Sequence, residues 1–227
     1  MSTIALLPMK ANSQRVPGKN FRDFAGKPLF AWILDTLLSV EAIDKIIINT
    51  DARKELLAGG LLEGPRVEVQ QRPANLIGDT VSMNLILAHD IANNPADTYL
   101  MTHTTNPFLG ASTIVRAMEE YASCIEQGAD SLFSVDAVQM RFYRGDMSPV
   151  NHDPNNLIQT QDLEAWYAEN SNLYIFSAES FAKTNARIGS NPVMMATPKY
   201  ESVDIDTPED WYFAEALAHA KQGMENN

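Results

Sequence analysis

The chain has 227 residues, 45% of them hydrophobic, which is enough for one sizeable core without disulfide or metal staples. Its formal charge of −12 sets a repulsive long-range field against duplex nucleic acid and anionic lipid, and so excludes a general polyanion binder. A single cysteine, Cys124, excludes an intrachain disulfide framework or a cysteine metal cluster and fits a reducing compartment.

The opening MSTIALLPMK has no basic segment ahead of its short apolar run and no cleavage-site pattern, so no secretory signal is expected. No apolar stretch approaches the roughly 20 residues a bilayer span needs. The expectation is a cytoplasmic protein with no membrane partner. Residues 4–7, 45–49, 98–102 and 131–138 read as buried strands, because the first three are nearly unbroken in apolar or β-branched content. Helical spacing follows each of the earlier ones: Leu29, Trp32, Ile33, Leu37 and Leu38 form a stripe after Pro28, and 82–91 and 112–125 have the same character. Strands alternating with helices predict an α/β fold on a mainly parallel sheet, with the loops after the strands gathered along one ligand-binding edge. Residues 139–165 keep neither period and read as an insertion, either a surface loop or a subunit-contact arm. Residues 173–176 resume as a strand. Thr207-Pro208-Glu209-Asp210 is a helix start, with Thr207 as N-cap and acids beside the positive end of the dipole. One continuous domain over 1–227 is the simplest partition.

The chemistry concentrates in the loop after the first strand. From Lys10 to Lys27 the cations Lys10, Arg15, Lys19, Arg22 and Lys27 face only Asp23, a local excess of +4 in an acidic protein. On a loop of small and turn-forming residues at a strand's carboxyl end, that excess suits a phosphate cradle. Ser13 stands where a P-loop needs its first glycine and Asn20 where it needs Ser or Thr, and no G-x-G-x-x-G opens the first helix, so neither a P-loop NTPase nor a dinucleotide-binding fold is expected. Near the other end, Asp204 and Asp206 lie two apart; in extended backbone such a pair projects from one face and can converge on one hard cation, Mg²⁺ being the natural choice.

The segment from Ile4 to Asn20, IALLPMKANSQRVPGKN, resembles the opening signature of the acylneuraminate cytidylyltransferases, the CMP-sialic acid synthetase family. The resemblance continues in order through Lys27-Pro28-Leu29, Asn49-Thr50-Asp51, the stretch from Arg72 to Thr80, Thr104-Thr105-Asn106-Pro107-Phe108, and Ser202-Val203-Asp204-Ile205-Asp206-Thr207. It implies a three-layer α/β fold of the nucleotide-diphospho-sugar transferase-like type, a small dimerisation arm near 139–165, and a homodimer. It also implies transfer of CMP from CTP to a sugar acid of the sialic or related nonulosonate type, with release of pyrophosphate.

Carried onto this sequence, the resemblance places Lys10 and Lys19 at the phosphates as catalytic cations, with Asp206. Ala11, Asn12, Ser13 and Asn20 become nucleotide contacts, Arg72 lies near the pyrimidine, and Asp79, Thr80 and Ser82 shape the pocket. Thr80 and Ser82 read equally as caps of the next helix. Lysine at position 10 replaces the family's usual arginine and gives up its bidentate fork. Asp204 and Asp206 become Mg²⁺ ligands. On the acceptor side the resemblance implies His103, Thr104, Asn170 and Tyr174. His103 stands where a glutamine is usual and reads as a hydrogen-bonding group, a general base or a structural histidine. The family's Arg-Gln pair of the arm reads Thr160-Gln161, so the acceptor is a sialic acid relative or another small acid such as a phosphonate. A non-catalytic nucleotide-binding protein on the same scaffold is the competing class; the two late aspartates argue against it, since a binder has no need to orient a catalytic metal.

Overall fold

The computed structural model describes residues 2–11 and 13–225. The first half contains β1 (Thr3–Leu6), a short ladder of β2 (Asp23–Phe24) and β3 (Lys27–Pro28), α1 (Leu29–Ser39), β4 (Lys45–Thr50), α2 (Arg53–Ala58), β5 (Val67–Gln71), α3 (Met83–Asn93) and β6 (Thr98–Thr102). The second half adds α4 (Ala111–Ile125), β7 (Ser131–Val138), β8 (Trp166–Phe176), α5 (Ala178–Thr184), β9 (Pro192–Ala196) and α6 (Pro208–Glu225). Seven strands form one sheet in the order β5-β4-β1-β6-β8-β7-β9, in which β8 alone runs against its neighbours.

Period-two alternation along these strands makes the two faces of the sheet. Ala5, Ile46, Ile48 and Leu100 point to one face, where α1 and α4 bury Ile33, Leu37, Ile114 and Ala117 against them. Ile4, Leu6, Ile47, Tyr99 and Met101 point to the other, beneath Leu87 of α3 and Phe181 of α5. A third cluster seats Trp211, Ala214 and Ala218 of α6 on Phe24, Leu29 and Phe108, which ties the C-terminal helix to the start of α1. Each of these fully buried large side chains contributes about 1.5–3 kcal/mol.

The chain leaves β1 toward β4 and β5 on one side and returns to β6 on the other. The reversal opens a crevice beyond the carboxyl ends of β1 and β6, the usual ligand position in such sheets. Pro28 sits at the N-cap of α1 and not inside its first turn. Residues 139–165, between β7 and β8, hold one 3₁₀ turn at Thr160–Asp162 and otherwise irregular backbone. No helix among the described residues is long and apolar enough to cross a membrane.

Candidate active site

A cavity of about 490 Å³ fills the crevice between β1 and β6. One wall is the loop after β1, with Lys10, Ser13, Arg15, Lys19 and Asn20; the other is the end of β6, with His103, Thr104 and Thr105; Arg72 and Asp79 close it from the side of β5 and α3. Residues far apart in sequence thus meet at one strand edge.

The loop is held by polar side chains in place of regular structure. Asn20 donates to the Lys10 carbonyl at 2.8 Å and accepts from the Thr104 hydroxyl at 2.7 Å, which fixes both walls to each other. The Ala11 amide donates to Asp51 Oδ1 at 2.6 Å, so its N–H is committed to the fold. Val16 donates to Ser13 Oγ. Gly18 sits at φ +64°, where a side chain is strained, and its carbonyl accepts from the Phe21 and Arg22 amides in a tight turn. Asn12 lies outside the described residues. Lys10 Nζ reaches Asp79 Oδ1 at 3.1 Å, and Gln14 donates to the other oxygen of the same carboxylate.

Lys19 is only 8% exposed, and its ammonium donates to the Ile205 carbonyl at 2.6 Å while lying 3.4 Å from Asp206 Oδ1. Burial pushes its pKa down, and the charges of Asp206 and Asp204 act against that shift. Arg15 takes the second Asp206 oxygen at 2.9 Å. The early cations and the late aspartates are therefore neighbours, joined across nearly the whole chain length.

Arg72 is almost fully buried, with Nε and Nη2 bonded to Asn49 and the Met9 carbonyl. Ser82 caps α3, accepting from the Asn84 amide at 3.3 Å, and Thr80 is exposed; neither lines the cavity.

At the end of β6, His103 lines the cavity. Burial, with the positive fields of Arg187 and Lys19 behind it, pushes its pKa down to about 4, so the imidazole is neutral at pH 7. Asn170 spends its amide inside the protein, accepting from Ser134 Oγ and donating to Asp136 and Thr197. Tyr174 is fully buried in the sheet, and its hydroxyl donates to Glu169. Neither Asn170 nor Tyr174 lines the cavity.

Three groups near these residues were not singled out in the sequence. Arg15 carries half of the Asp206 contact; Asp51 anchors the loop; Arg187 lays its guanidinium 3.9 Å above the Tyr174 ring, with a long 3.4 Å contact to Glu169. Arg15 was legible as one of the loop's cations and Asp51 as part of the Asn49-Thr50-Asp51 block. Arg187 had no local signal, because what places it is a cross-strand neighbour of Met101, Tyr174, under its guanidinium.

Asp204 and Asp206 offer oxygen donors of the kind a hard divalent ion takes, although no group of three or more metal-ligating side chains occurs among the described residues. Asp204 Oδ1 is buried without a hydrogen-bond partner, beside a second carboxylate two residues on. Burial raises the Asp204 pKa, and the like charge of Asp206 adds to it, so this pair gains from a cation that satisfies the orphaned oxygen.

Residues 4–225 match the family described as cytidylyltransferase. The chain is 29% identical to the CMP-N,N'-diacetyllegionaminic acid synthase of Legionella pneumophila, over 98% of both chains. It is 24% identical to a pseudaminic acid cytidylyltransferase of Campylobacter jejuni, over 96% of both. Against N-acylneuraminate cytidylyltransferase A of Danio rerio it is 27% identical, covering 93% of this chain and 49% of that longer protein. Among solved structures, a CMP:2-keto-3-deoxy-manno-octonic acid synthetase complexed with CTP superposes with a TM-score of 0.67 at 15% identity, over 97% of this chain and 100% of that one, a likeness of fold.

Proposed function

The chain belongs to the cytidylyltransferase family, and from that premise we propose that it transfers CMP from CTP to the hydroxyl of a nonulosonate-type sugar acid, releasing pyrophosphate. The observation that carries this reading is that Lys10 and Lys19 line one cavity, with Lys19 paired to Asp206 and within the field of Asp204, in a chain whose full-length relatives are named for legionaminic and pseudaminic acid.

In-line attack at the α-phosphorus needs a positioned nucleophile, neutralised phosphate charge and an outlet for one proton. Lys10 and Lys19 hold the triphosphate, each now engaged by a carboxylate that the phosphate oxygens replace or share. Arg72 and the loop after β1 hold the nucleoside. Asp204 and Asp206 would hold Mg²⁺, which when bound would supply stabilisation of negative charge on the departing pyrophosphate. His103, neutral at working pH, accepts a hydrogen bond from the acceptor hydroxyl; a base of pKa about 4 is too weak to store that proton, so His103 orients the nucleophile and the proton passes to solvent as pyrophosphate leaves. Arg187, whose charge reaches His103, takes an anionic group of the acceptor. We infer a cytoplasmic homodimer, built through the apolar residues that 139–167 expose, among them Met147, Leu157 and Tyr167.

A pyrophosphate-release assay with each nucleoside triphosphate and Mg²⁺ over a panel of keto sugar acids and phosphonates tests the reading. The expected result is turnover with CTP and a nonulosonate. Preference for UTP or ATP would overturn the nucleotide, turnover with a phosphonate alone would overturn the acceptor, and tight CTP binding without any pyrophosphate release would make the protein a binder.

A further inference from the structure

Behind Arg72 stands a row of buried polar side chains that runs from α3, through the end of β4, to the cavity wall. Arg72 is 3% exposed, and Asn49 and Asp90 are fully buried. Arg72 Nε donates to Asn49 Oδ1 at 2.8 Å, and Nη2 donates to the Asn49 carbonyl at 2.8 Å and the Met9 carbonyl at 3.0 Å. Nη1 has no partner among the described residues, and Arg72 lines the cavity. A guanidinium only donates and a carboxylate only accepts, so an amide between them has one permitted orientation. Asn49 turns Oδ1 to Arg72 and donates through Nδ2 to Asp90 Oδ1 at 2.5 Å.

This arrangement is expensive. Asp90 Oδ2 is buried with no partner, and burial pushes the Asp90 carboxyl up to about 6. The titratable groups facing it are Arg72, across Asn49, and His89 on its own helix; Asn94, which donates to its backbone carbonyl, and Gln70 are neutral. Asp51 is the other carboxylate whose field reaches Arg72, and its Oδ1 is occupied by the Ala11 amide. Packing alone does not call for a carboxylate at 90, since asparagine fills the same volume. Recognition does: a carboxylate accepts from Asn49 through either oxygen, whereas an asparagine at 90 can also turn its Nδ2 toward Asn49, which lets the Asn49 amide flip and present N–H to a guanidinium.

We propose that Asp90 is a positioning residue for nucleotide recognition, which fixes Asn49 and through it holds the Arg72 guanidinium with Nη1 turned to the acceptor edge of a bound pyrimidine. The inference rests on the cytidylyl-transfer reading and deepens it. Pyrophosphate, held by Lys10 and Lys19, does not depend on this row.

Calorimetric titration with CMP and, separately, inorganic pyrophosphate at pH 7.5 tests it on the native protein, on Asp90→Asn and on the exchange variant Asn49→Asp/Asp90→Asn. The exchange keeps one carboxylate and one amide with every donor still facing an acceptor. Asp90→Asn is expected to weaken CMP by about tenfold, the scale of a lost charge-assisted contact, while pyrophosphate affinity stays unchanged; the exchange variant recovers most of the CMP affinity. Native CMP affinity in Asp90→Asn, equal weakening of both ligands, or an exchange variant as weak as the single one would each overturn the proposal. Should Asp90→Asn fail to fold, the exchange variant decides alone, native-like CMP affinity supporting the proposal and its loss rejecting it. A native protein that binds pyrophosphate but no CMP sinks the cytidine reading together with the proposal.

Discussion

His103 shows how much of a residue's chemistry lies outside its sequence position. At the end of β6 the sequence leaves it as base, ligand or core residue; the burial around it and two nearby cations make it neutral across the physiological range. Its folded pKa, about 4, lies below the ordinary 6.5, so the unfolded chain binds more protons between those values. Stability from this group is complete above the unfolded value and is lost as pH falls from 6.5 toward 4, by an amount on the order of 3 kcal/mol. His103→Gln should remove that slope, so denaturant midpoints of variant and native proteins should converge as pH is lowered through this window; parallel curves would contradict the shift. Arg187 is the opposite case, a residue with no motif that stacks on Tyr174 and whose charge reaches His103. Arg187→Gln keeps the length and loses the charge. It should raise the acceptor KM about tenfold, the loss of one charge-assisted contact, and leave the CTP KM within twofold; an equal rise in both would assign Arg187 to general packing.

The same contrast holds for elements. β1, β4, β6 and β7 were legible because strands buried on both faces are nearly continuous in apolar residues, and α1, α3, α4 and α6 because each carries a stripe or a cap. β5, Val67–Gln71, was not, since half-buried Glu68 and Gln70 alternate with only two apolar residues, Val67 and Val69, before exposed Gln71, as in an edge strand. β9, also an edge, begins at Pro192 and buries only Met195, and α2 and α5 are too short for a period to show. Of the site, the cationic loop and the late aspartates could be read from residue type alone; the pairing of Lys19 with Asp206 could not, because it depends on how α6 is started. Thr207 Oγ1 accepts from the Asp210 amide at 3.2 Å, and Asp210 Oδ2 accepts from the Thr207 amide at 2.7 Å and the Asp206 amide at 3.1 Å, a reciprocal cap that fixes the backbone of a metal-ligand candidate. Thr207→Ala should cost about 1 kcal/mol of stability and, by loosening Asp206, lower kcat more than it raises the CTP KM. A variant that loses stability with native kcat would separate the cap from the site.

For the whole molecule, the charge of −12 and the composition of the 139–167 region pull in different directions. Two copies of an acidic chain repel at long range, so a dimer needs apolar area enough to overcome that field. The candidate area is on this arm and the strand it leads into: Met140, Tyr143, Met147, Leu157, Ile158 and Tyr167 are all exposed, and Trp166, at 37% exposure, stacks on Phe142 with 5.1 Å between ring centroids. An association driven by such residues and opposed by net charge should tighten when salt screens the repulsion. One held by ion pairs should loosen. Sedimentation at micromolar protein should therefore give a dimer whose dissociation constant falls as NaCl is raised from 50 to roughly 500 mM, a range over which the Debye length shortens about threefold. Ile158→Asp, which buries a charge in that interface, should shift the protein to monomer while leaving CMP binding in place. A native monomer at every salt concentration, or a dimer that salt dissolves, would reject an apolar arm as the contact.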